Sequence, residues 1–351
     1  MNNKEKFLVS GVIPAYNEAS IVTKHLTLIT EYLDTLRDKY DWEIIFVNDG
    51  SKDETGKLAD DFARDKKHIR VIHHHRNKNL GNALMTGFKE SKGDYIIVLD
   101  VDLSYSADHI GKLMEVIVRE DADIVIASPY MKGGKTTKVP FLRKILSSFM
   151  NKLIMVVAQE RIHTFTSMVR AYKREFVRSL NLKGTSHTIN PEIIYKGIIL
   201  RARILEIPAH LDWTLQRAEG IKRTSSMKIL FGIMKGMMTA FVFKPYAYFL
   251  GLGFFLLLIF LYLLVWIFIH VSRIYPTIVA SSAYFDDRFS QAVSVVFNSR
   301  PHSFFIAGIL LIIGLQLISL GFIALQNKRN FEEIYHFMTQ LNKKLNDPDK
   351  P

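Results

Sequence analysis

Residues 95–104 read YIIVLDVDLS, and this stretch decides the fold class. Its first five residues are apolar, which is typical of a strand buried on both faces of a parallel sheet. Asp100 and Asp102 follow that run directly. Residues two apart in an extended chain point to the same side, so both carboxylates are expected to face one ligand. Such hard oxygen ligands suit Mg²⁺ or Mn²⁺. An Asp-x-Asp is otherwise more often a solvated turn, and its place after a buried strand favours the metal site.

Apolar runs and helical segments alternate on both sides of this stretch. The predicted strands are residues 7–13, 42–47, 69–73, 95–99 and 124–127, with helices over 18–40, 53–62, 82–90 and up to 118. This alternation predicts an α/β fold with a Rossmann-like, doubly wound and mostly parallel sheet. Ligands of such sheets bind beyond the carboxyl ends of the strands.

Polar residues follow two other predicted strands. Residues 14–18 read PAYNE and residues 48–53 read NDGSKD. Asn48 and Asp49 can hydrogen-bond a base edge or a ribose. The same residues also suit a turn at Gly50 followed by a helix N-cap at Ser51 or Asp53, and both interpretations can hold together. The chain lacks G-x-G-x-x-G and G-x-x-x-x-G-K-[ST] motifs, which argues against a dinucleotide oxidoreductase and a P-loop NTPase.

The composition excludes several classes of site. The 351 residues include no Cys, which rules out a disulfide scaffold, a Cys-ligated metal site and a thiol nucleophile. The net charge of +12 indicates attraction to anionic lipid and phosphate, since no nucleic-acid-binding motif accompanies it. Residues 73–75 are three histidines, but neighbours on a strand point to opposite faces and do not converge on one metal.

Two runs, residues 247–271 and 304–326, contain no Lys, Arg, Asp or Glu. Each is long enough to cross about 30 Å of hydrocarbon as a helix, and the alternative is a buried core helix. Cations cluster before the first run and after the second, so the positive-inside rule places both termini in the cytoplasm. No signal peptide is expected at residues 1–6. The sequence therefore predicts an integral protein of the inner or plasma membrane.

The predicted organisation has six parts. Residues 225–245 carry Lys228 and Lys235 among Met, Ile, Leu and Phe, which suits an amphipathic juxtamembrane helix in the interface or, alternatively, a helix packed on the domain. The parts are a catalytic domain (1–224), the juxtamembrane helix (225–245), transmembrane helix 1 (246–271), an extracytoplasmic loop (272–303), transmembrane helix 2 (304–326) and a cytoplasmic tail (327–351).

The motifs together resemble a known family. PAYNE at 14–18, VNDGSKDET at 47–55 and residues 79–104 are similar, in this order, to family 2 glycosyltransferases with the GT-A fold. The similarity covers about the first 130 residues. RKILSSFMN at 143–151 and TSMVR at 166–170 resemble the acceptor region of the polyprenyl-phosphate branch, which includes dolichol-phosphate mannose synthases and bacterial two-helix bactoprenol glucosyltransferases.

The resemblance implies roles for individual residues. Asp100 and Asp102 would be the catalytic pair that holds a metal and the donor diphosphate, with Ser104 where relatives often have a metal-facing Gln. Donor-nucleotide contacts would come from Pro14, Tyr16, Glu18, Asn48, Asp49 and Asp100. Acceptor or phosphate contacts would come from Lys132, Arg143, Ser147, Asn151, Ser167 and Arg170, and Lys135 is a further cation candidate.

The sequence also departs from the family pattern. Asn48 stands where relatives often have Asp, the Gly-x-Gly after the third strand is reduced to Leu80-Gly81-Asn82, and Pro129 stands where an Arg is expected. Thr164 replaces an Asp that is at times proposed as a base. A phosphate monoester is already anionic near neutral pH, so a lipid-phosphate acceptor needs no protein base.

The expected function is inverting, metal-dependent transfer of a sugar from a UDP- or GDP-sugar to undecaprenyl or dolichyl phosphate. The expected partners are the donor, the lipid acceptor, the membrane and, by analogy, further copies in a tetramer. Residues 130–138 would form a lid over the phosphates or a solvated loop. Two alternatives are a polysaccharide synthase, for which residues 212–217 lack the Q-x-x-R-W motif, and a catalytically silent membrane scaffold.

Overall fold

The structure is a computed structural model that describes residues 6–140, 147–148, 151, 162–214, 245–278 and 285–346. Contacts divide these residues into two compact units, 6–214 with 334–346 and 245–333. Arg143 and residues 225–244 of the predicted juxtamembrane helix lie outside the described residues.

The first unit alternates strands and helices along the chain. Its strands are β1 (Phe7–Ala15), β2 (Tyr40–Asn48), β3 (Ile69–His73), β4 (Tyr95–Val98), β5 (Ile124–Ser128), β6 (Lys135–Thr137), β7 (Arg170–Lys173), β8 (Ile204–Pro208) and β9 (His210–Asp212). Its helices are α1 (Val22–Thr35), α2 (Thr55–Ala63), α3 (Leu80–Glu90), α4 (His109–Arg119), α5 (Arg174–Ser179) and α6 (Ile189–Ile199).

Seven of these strands form one sheet in the order β3-β2-β1-β4-β7-β5-β8. All neighbours are parallel except β7, which runs antiparallel between β4 and β5. Ala15 pairs with Asn48, and Asn48 pairs with His73. The segments that follow β1, β2 and β3 therefore lie together at the carboxyl ends of these parallel strands, which form one edge of the sheet.

Two apolar cores cover the two faces of this sheet. On one face Val9 and Ile13 of β1 pack with Leu26 of α1. On the other face Val12 packs with Leu84 of α3. Successive strand residues point to opposite faces, so one apolar run supplies both cores. The predicted α/β class, with its mostly parallel sheet, is confirmed.

The predicted elements occur, with different ends. Helix α1 stops at Thr35 and leaves room for β2 to begin at Tyr40, whereas the sequence predicted a helix through residue 40. Strand β7 was not predicted, because its four residues, RAYK, begin and end with a basic residue. It joins the sheet because its interior position buries Ala171 and Tyr172 completely.

The second unit contains α7 (Pro245–Ile274), a short 3₁₀ turn, α8 (Phe285–Ser299) and most of α9 (Pro301–Asn346). The apolar parts of α7 and α9 have mean hydropathies of 2.9 and 2.5, and both helices are long enough to span a membrane. The spans predicted over 246–271 and 304–326 lie within them. Only 6% of the apolar window of α7 is buried, which argues against the alternative of a soluble core helix.

The segment predicted as a loop over 272–303 contains α8. Its residues Ala292 and Val296 are buried against Ile267 and Val271 of α7. The apolar residues of α8 recur at 289, 292, 293 and 296, which is the spacing of one helical face. The connection is therefore an amphipathic helix packed on the apolar hairpin.

The predicted tail also differs from expectation, since α9 continues without a break past residue 326. The part of α9 from Ile334 onward belongs to the first unit. There the ammonium of Lys196 lies 5.5 Å from the centre of the Tyr335 ring. Residues 334–341 are thus an ordered part of the domain.

Candidate active site at the sheet edge

Asp100 and Asp102 lie in a turn after β4. The Leu103 amide donates to the Asp100 carbonyl at 3.2 Å, and Leu103 has a φ of +49°. The prediction that both acids extend the strand is therefore wrong in its backbone geometry. The turn still links them, because the Ser104 amide donates to Asp102 Oδ1 at 3.0 Å and its hydroxyl lies 3.5 Å from Asp100 Oδ2.

His25 of α1 supports this turn from beneath. Its side chain is completely buried, and Nδ1 donates to the Val101 carbonyl at 2.8 Å. The carbonyl only accepts, so Nδ1 carries the hydrogen. Sequence analysis did not single out His25. The available signal was its place on the buried face of α1, beside Val22, Leu26 and Ile29.

Tyr105 links the acidic turn to the segment at residues 162–169. Burial raises the pKa of the Tyr105 hydroxyl well above its ordinary value, and the nearby Asp100 charge acts in the same direction. The Ser167 hydroxyl donates to Tyr105 Oη at 3.5 Å. Ser167, a predicted acceptor residue, therefore contacts the residue that follows Ser104 of the acidic turn.

The segments after β1 and β2 are held together by hydrogen bonds. The Asn17 amide donates to Ser51 Oγ at 3.0 Å, and the Lys52 amide donates to Asn17 Oδ1 at 2.8 Å. The Glu18 amide donates to Thr55 Oγ1 at 2.7 Å. Tyr16 projects from this edge with 39% of its surface exposed, whereas Glu18 is buried.

Asp53 serves both segments. Its carboxylate accepts from Ala19 at 3.2 Å and from the Thr55 amide at 3.1 Å. Burial alone would raise the pKa of Asp53, but the hydrogen bonds from Thr55 and Ala19 outweigh it and lower that pKa. Asp53 is thus an anion that ties the two segments, beyond the capping role that the sequence suggested.

Asn48 and Asp49 are buried and already bonded. Asn48 Oδ1 accepts from the Ser51 amide at 3.1 Å, and its Nδ2 lies 3.0 Å from His73 Nδ1. Asp49 Oδ1 accepts from the Lys78 amide at 2.9 Å and from His74 Nδ1 at 2.7 Å. Both residues shape the edge where a nucleotide is expected.

The adjacent histidines point in opposite directions. His73 Nε2 lies 3.0 Å from Asp60, and His74 Nε2 lies 2.9 Å from Thr86 Oγ1. Within the described part of the chain, no cluster of three or more His, Cys, Asp or Glu could hold a metal. The side chains of His73 and His74 therefore alternate as the sequence predicts.

The predicted acceptor residues separate into two groups. Asn151 and Ser167 are both buried. Asn151 Oδ1 accepts a hydrogen bond from the Phe165 amide at 2.9 Å, so Asn151 contacts the segment that contains Ser167. Ser147 is half-buried in a helical turn, and Lys132 and Lys135 are exposed.

Arg170 is completely buried. It donates to the Phe165 carbonyl at 2.7 Å and to the Asn190 carbonyl at 2.9 Å. Because both terminal nitrogens are engaged inside the fold, this placement favours a positioning role for Arg170 over direct contact with an acceptor phosphate.

Residues 130–138, expected to form a lid or a solvated loop, contain a short paired strand. Strand β6 pairs in parallel with β9, and Thr137 Oγ1 lies 2.7 Å from His210 Nε2. A turn through Gly134 precedes the strand, where the Gly134 amide donates to the Met131 carbonyl at 2.9 Å. The second half of the basic segment is therefore a paired strand that follows a turn.

Thr164, at the position of the missing carboxylate, is almost fully buried and lies 2.6 Å from Ser128 Oγ at the end of β5. The hydroxyl pair fills the position with neutral groups. Thr164 therefore supplies no carboxylate that could act as a base.

Comparison with known proteins supports the family resemblance. Residues 10–180 match the family described as Glycosyl transferase family 2. The match covers a little under half of the chain and supports a family 2 glycosyltransferase domain over those residues. The resemblance seen in the motifs at 14–18, 47–55 and 79–104 is thereby confirmed.

Several curated relatives are named as polyprenyl-phosphate glycosyltransferases. The chain is 33% identical over 205 residues to dolichol-phosphate mannosyltransferase from Pyrococcus furiosus. This alignment covers 57% of this chain and 55% of that protein. It is 29% identical over 249 residues to undecaprenyl-phosphate 4-deoxy-4-formamido-L-arabinose transferase from Aeromonas hydrophila, with 70% and 71% covered. The match to the Pyrococcus protein thus spans little more than half of that relative.

Solved structures support the fold. Glucosyl-3-phosphoglycerate synthase from Mycobacterium tuberculosis, crystallised with Mn²⁺, uridine diphosphate and glucosyl-3-phosphoglycerate, has a TM-score of 0.51 and 16% identity. The match covers 68% of this chain and 80% of that chain. The likeness shows the GT-A fold.

Proposed function

We propose that the chain transfers one sugar from a nucleotide-sugar to a polyprenyl phosphate, with inversion, at the cytoplasmic face of a membrane. The observation that carries the proposal is the acidic turn. Asp100 and Asp102 are linked through Ser104 at the edge where a family 2 domain would receive its donor. The names of the relatives support a polyprenyl-phosphate acceptor.

The acidic turn fits Mg²⁺ or Mn²⁺. Two carboxylates and a hydroxyl are hard oxygen donors, and Mg²⁺ is commonly bound by one or two carboxylates together with substrate phosphates. Asp100, Asp102 and Ser104 would hold the ion. When bound, it would supply positive charge next to the diphosphate leaving group.

The donor nucleotide would lie along the segments after β1 and β2. Tyr16 is exposed there and offers a ring face to a base, while Asn48 and Asp49 fix the shape of the pocket. Pro14 at the end of β1 and Glu18 after that strand would also line the donor site. The hydrogen bonds of Asn17, Ser51 and Asp53 keep these segments in place before a ligand arrives.

The acceptor supplies its own nucleophile. An oxygen of the lipid phosphate attacks the anomeric carbon as the bond from that carbon to the nucleoside diphosphate breaks, and the diphosphate leaves with the bonding electrons. No proton has to be removed from the attacking oxygen, because the second pKa of a phosphate monoester is about 6 and the oxygen is already anionic at neutral pH. The neutral Thr164–Ser128 pair is compatible with this acceptor.

The apolar helices bring the domain to its lipid substrate. Helices α7 and α9 expose large apolar side chains such as Phe254, Phe268 and Phe322. Such surfaces are suited to contact with acyl chains. The cations at residues 217–244 and at 328–329 support, by the positive-inside rule, a cytoplasmic location of both termini.

The test is a product analysis with the full chain in membranes. Radiolabelled UDP- and GDP-sugars are supplied with polyprenyl phosphate and Mn²⁺, and the product is extracted into organic solvent. We expect one donor to give a lipid-soluble product with a single sugar. A polymeric product would indicate a polysaccharide synthase, and absence of transfer from every donor would indicate a silent scaffold. Either result contradicts the proposal.

A further inference from the structure

His163 is the second residue of the segment 162–169, which contacts both the acidic turn's side of the sheet and strand β5. Ser167 of that segment contacts Tyr105, and Thr164 contacts Ser128 at the end of β5. The sheet order places β1 and β2 on one side of β4 and places β5 and β8 on the other. The segment therefore lies on the side of the acidic turn opposite the donor loops.

Glu206 of β8 holds His163 in a defined orientation. Its Oε2 lies 2.7 Å from His163 Nδ1 and 2.8 Å from the His163 amide nitrogen, and its Oε1 accepts from the Thr164 amide at 2.9 Å. The Glu206 side chain is only 6% exposed, whereas the His163 side chain is 45% exposed. A buried carboxylate thus orients a ring that reaches the surface.

The orientation fixes what the ring can bind. A carboxylate accepts the hydrogen bond, so the Nδ1 atom carries a hydrogen and the Nε2 atom faces away from Glu206. Within the residues that the structure describes, Nε2 of His163 has no hydrogen-bond partner. When both ring nitrogens carry a hydrogen, Nε2 can donate to a phosphate oxygen while Nδ1 stays bonded to Glu206.

We infer that His163, oriented by Glu206, binds the phosphate group of the lipid acceptor. This inference rests on the proposed function, because the ligand is the acceptor of that reaction. The position beyond β4 assigns the ring to the second substrate, since the donor loops follow β1 and β2. It also places a ring nitrogen that can hydrogen-bond on a segment where Arg170, the expected phosphate ligand, is buried.

Two substitutions separate binding from a structural role. His163→Asn places an amide nitrogen where Nδ1 was, which keeps the bond to Glu206 and removes the atom at Nε2. His163→Gln places an amide nitrogen near the position of Nε2 and gives up the bond to Glu206. If the ring only held the segment, the Asn variant would behave as the wild type and the Gln variant would be impaired.

The experiment measures binding and turnover on the full chain in detergent. Farnesyl phosphate is the binding probe, and farnesol is its phosphate-free control. We expect His163→Asn to raise the Kd for farnesyl phosphate and the KM for polyprenyl phosphate about tenfold or more, with the donor KM unchanged. His163→Gln should stay within about threefold of the wild type, because it restores a donor at the outer position.

Three results would overturn the inference. They are wild-type affinity in the Asn variant, impairment of the Gln variant alone, and a wild-type protein that binds farnesyl phosphate no better than farnesol. Failure of the proposed function is a different result. In that case the wild type transfers no sugar, while the comparison of phosphate binding between the variants still decides the role of His163.

Discussion

Gly50 shapes the turn between β2 and α2. Its φ is +68°, and an added Cβ would lie 2.3 Å from the carbonyl carbon of Arg76. Gly50→Ala therefore combines an unfavourable backbone conformation with a backbone clash. We expect a loss of about 2–4 kcal/mol in the free energy of unfolding, measured by chemical denaturation of the full chain in detergent.

Gly11→Ala is the matched control. A Cβ at Gly11 would meet its nearest neighbour, the Glu43 carbonyl oxygen, at an ordinary 3.7 Å. The change should cost less than about 1 kcal/mol. Equal losses at Gly50 and Gly11 would show that the positive φ and the contact with Arg76 do not constrain the turn.

Glu43 makes the stability of the domain depend on pH. Its carboxylate accepts from Ser10 Oγ at 2.6 Å, from the Lys92 amide at 2.6 Å and from Arg70 at 3.1 Å. Burial alone would raise the pKa of Glu43, but these hydrogen bonds and the Arg70 charge outweigh it and lower that pKa.

A pKa that is lower in the folded state determines how the free energy of unfolding changes with pH. The stabilisation by Glu43 is fully present above the unfolded pKa of about 4.3 and is lost as the pH falls through the folded pKa. Glu43→Gln should therefore cost about 1–3 kcal/mol at pH 7, and the difference from wild type should shrink toward pH 3. Unfolding free energies across this pH range provide the measurement.

The control for Glu43 is an exposed acid. Glu54 pairs with Lys57 at 3.3 Å, and its side chain is 69% exposed. Glu54→Gln should change the free energy of unfolding by less than about 1 kcal/mol at any pH. A Glu43 difference that persists unchanged at low pH would contradict the lowered pKa.

At the residue scale, a position could be predicted where the side chain follows a strong local pattern, and the metal-binding role of Asp100 and Asp102 stays a prediction. Asp100 and Asp102 were identifiable because they follow the apolar run YIIVL. The burial of Arg170 was not identifiable, since its partners are the carbonyls of Phe165 and Asn190, which the fold brings from other segments. The contacts of His25 and Glu206 were missed for the same reason.

Helices α7 and α9 pack closely through glycine. A Cβ at Gly253 would lie 2.9 Å from the Gly314 carbonyl oxygen and 2.9 Å from Ile318 Cγ1. Close approach of this kind lets two helix backbones gain contact in an apolar environment. We expect Gly253→Leu to lower the Tm of the second unit's hairpin in detergent micelles by several degrees.

Gly251 provides the control on the same helix. A Cβ there would meet nothing within 4 Å, so Gly251→Leu should leave the Tm almost unchanged. If Gly251→Leu lowered the Tm as much as Gly253→Leu, the change would be due to the loss of glycine itself and the proposed packing would be wrong.

Element-scale prediction depended on length and periodicity. Strands β1 to β5 are apolar runs, and α7 and α9 are long charge-free helices, so all were found in the sequence. Strands β6 and β9 have three residues each and exist because they pair with one another. A local pattern of that length carries no signal, since only tertiary contact creates the element.

The topology of the whole chain is open to a direct test because it contains no native Cys. Ser294 in α8 and Lys57 in α2 are both exposed. We expect Ser294→Cys to react with a membrane-impermeant maleimide in intact cells. Lys57→Cys should react only after lysis. Reaction of both, or of Lys57→Cys alone, in intact cells would contradict a cytoplasmic catalytic domain.

The metal-binding role of the acidic turn is tested by the rate of sugar transfer to polyprenyl phosphate, measured for wild type, Asp102→Asn and Asp65→Asn. Asp65 is exposed and distant in sequence from the acidic turn, so its variant controls for the loss of one carboxylate. We predict Mn²⁺-dependent transfer by wild type and Asp65→Asn, and a rate at least about a hundredfold lower for Asp102→Asn. Transfer at the wild-type rate by Asp102→Asn would contradict a metal site at the acidic turn.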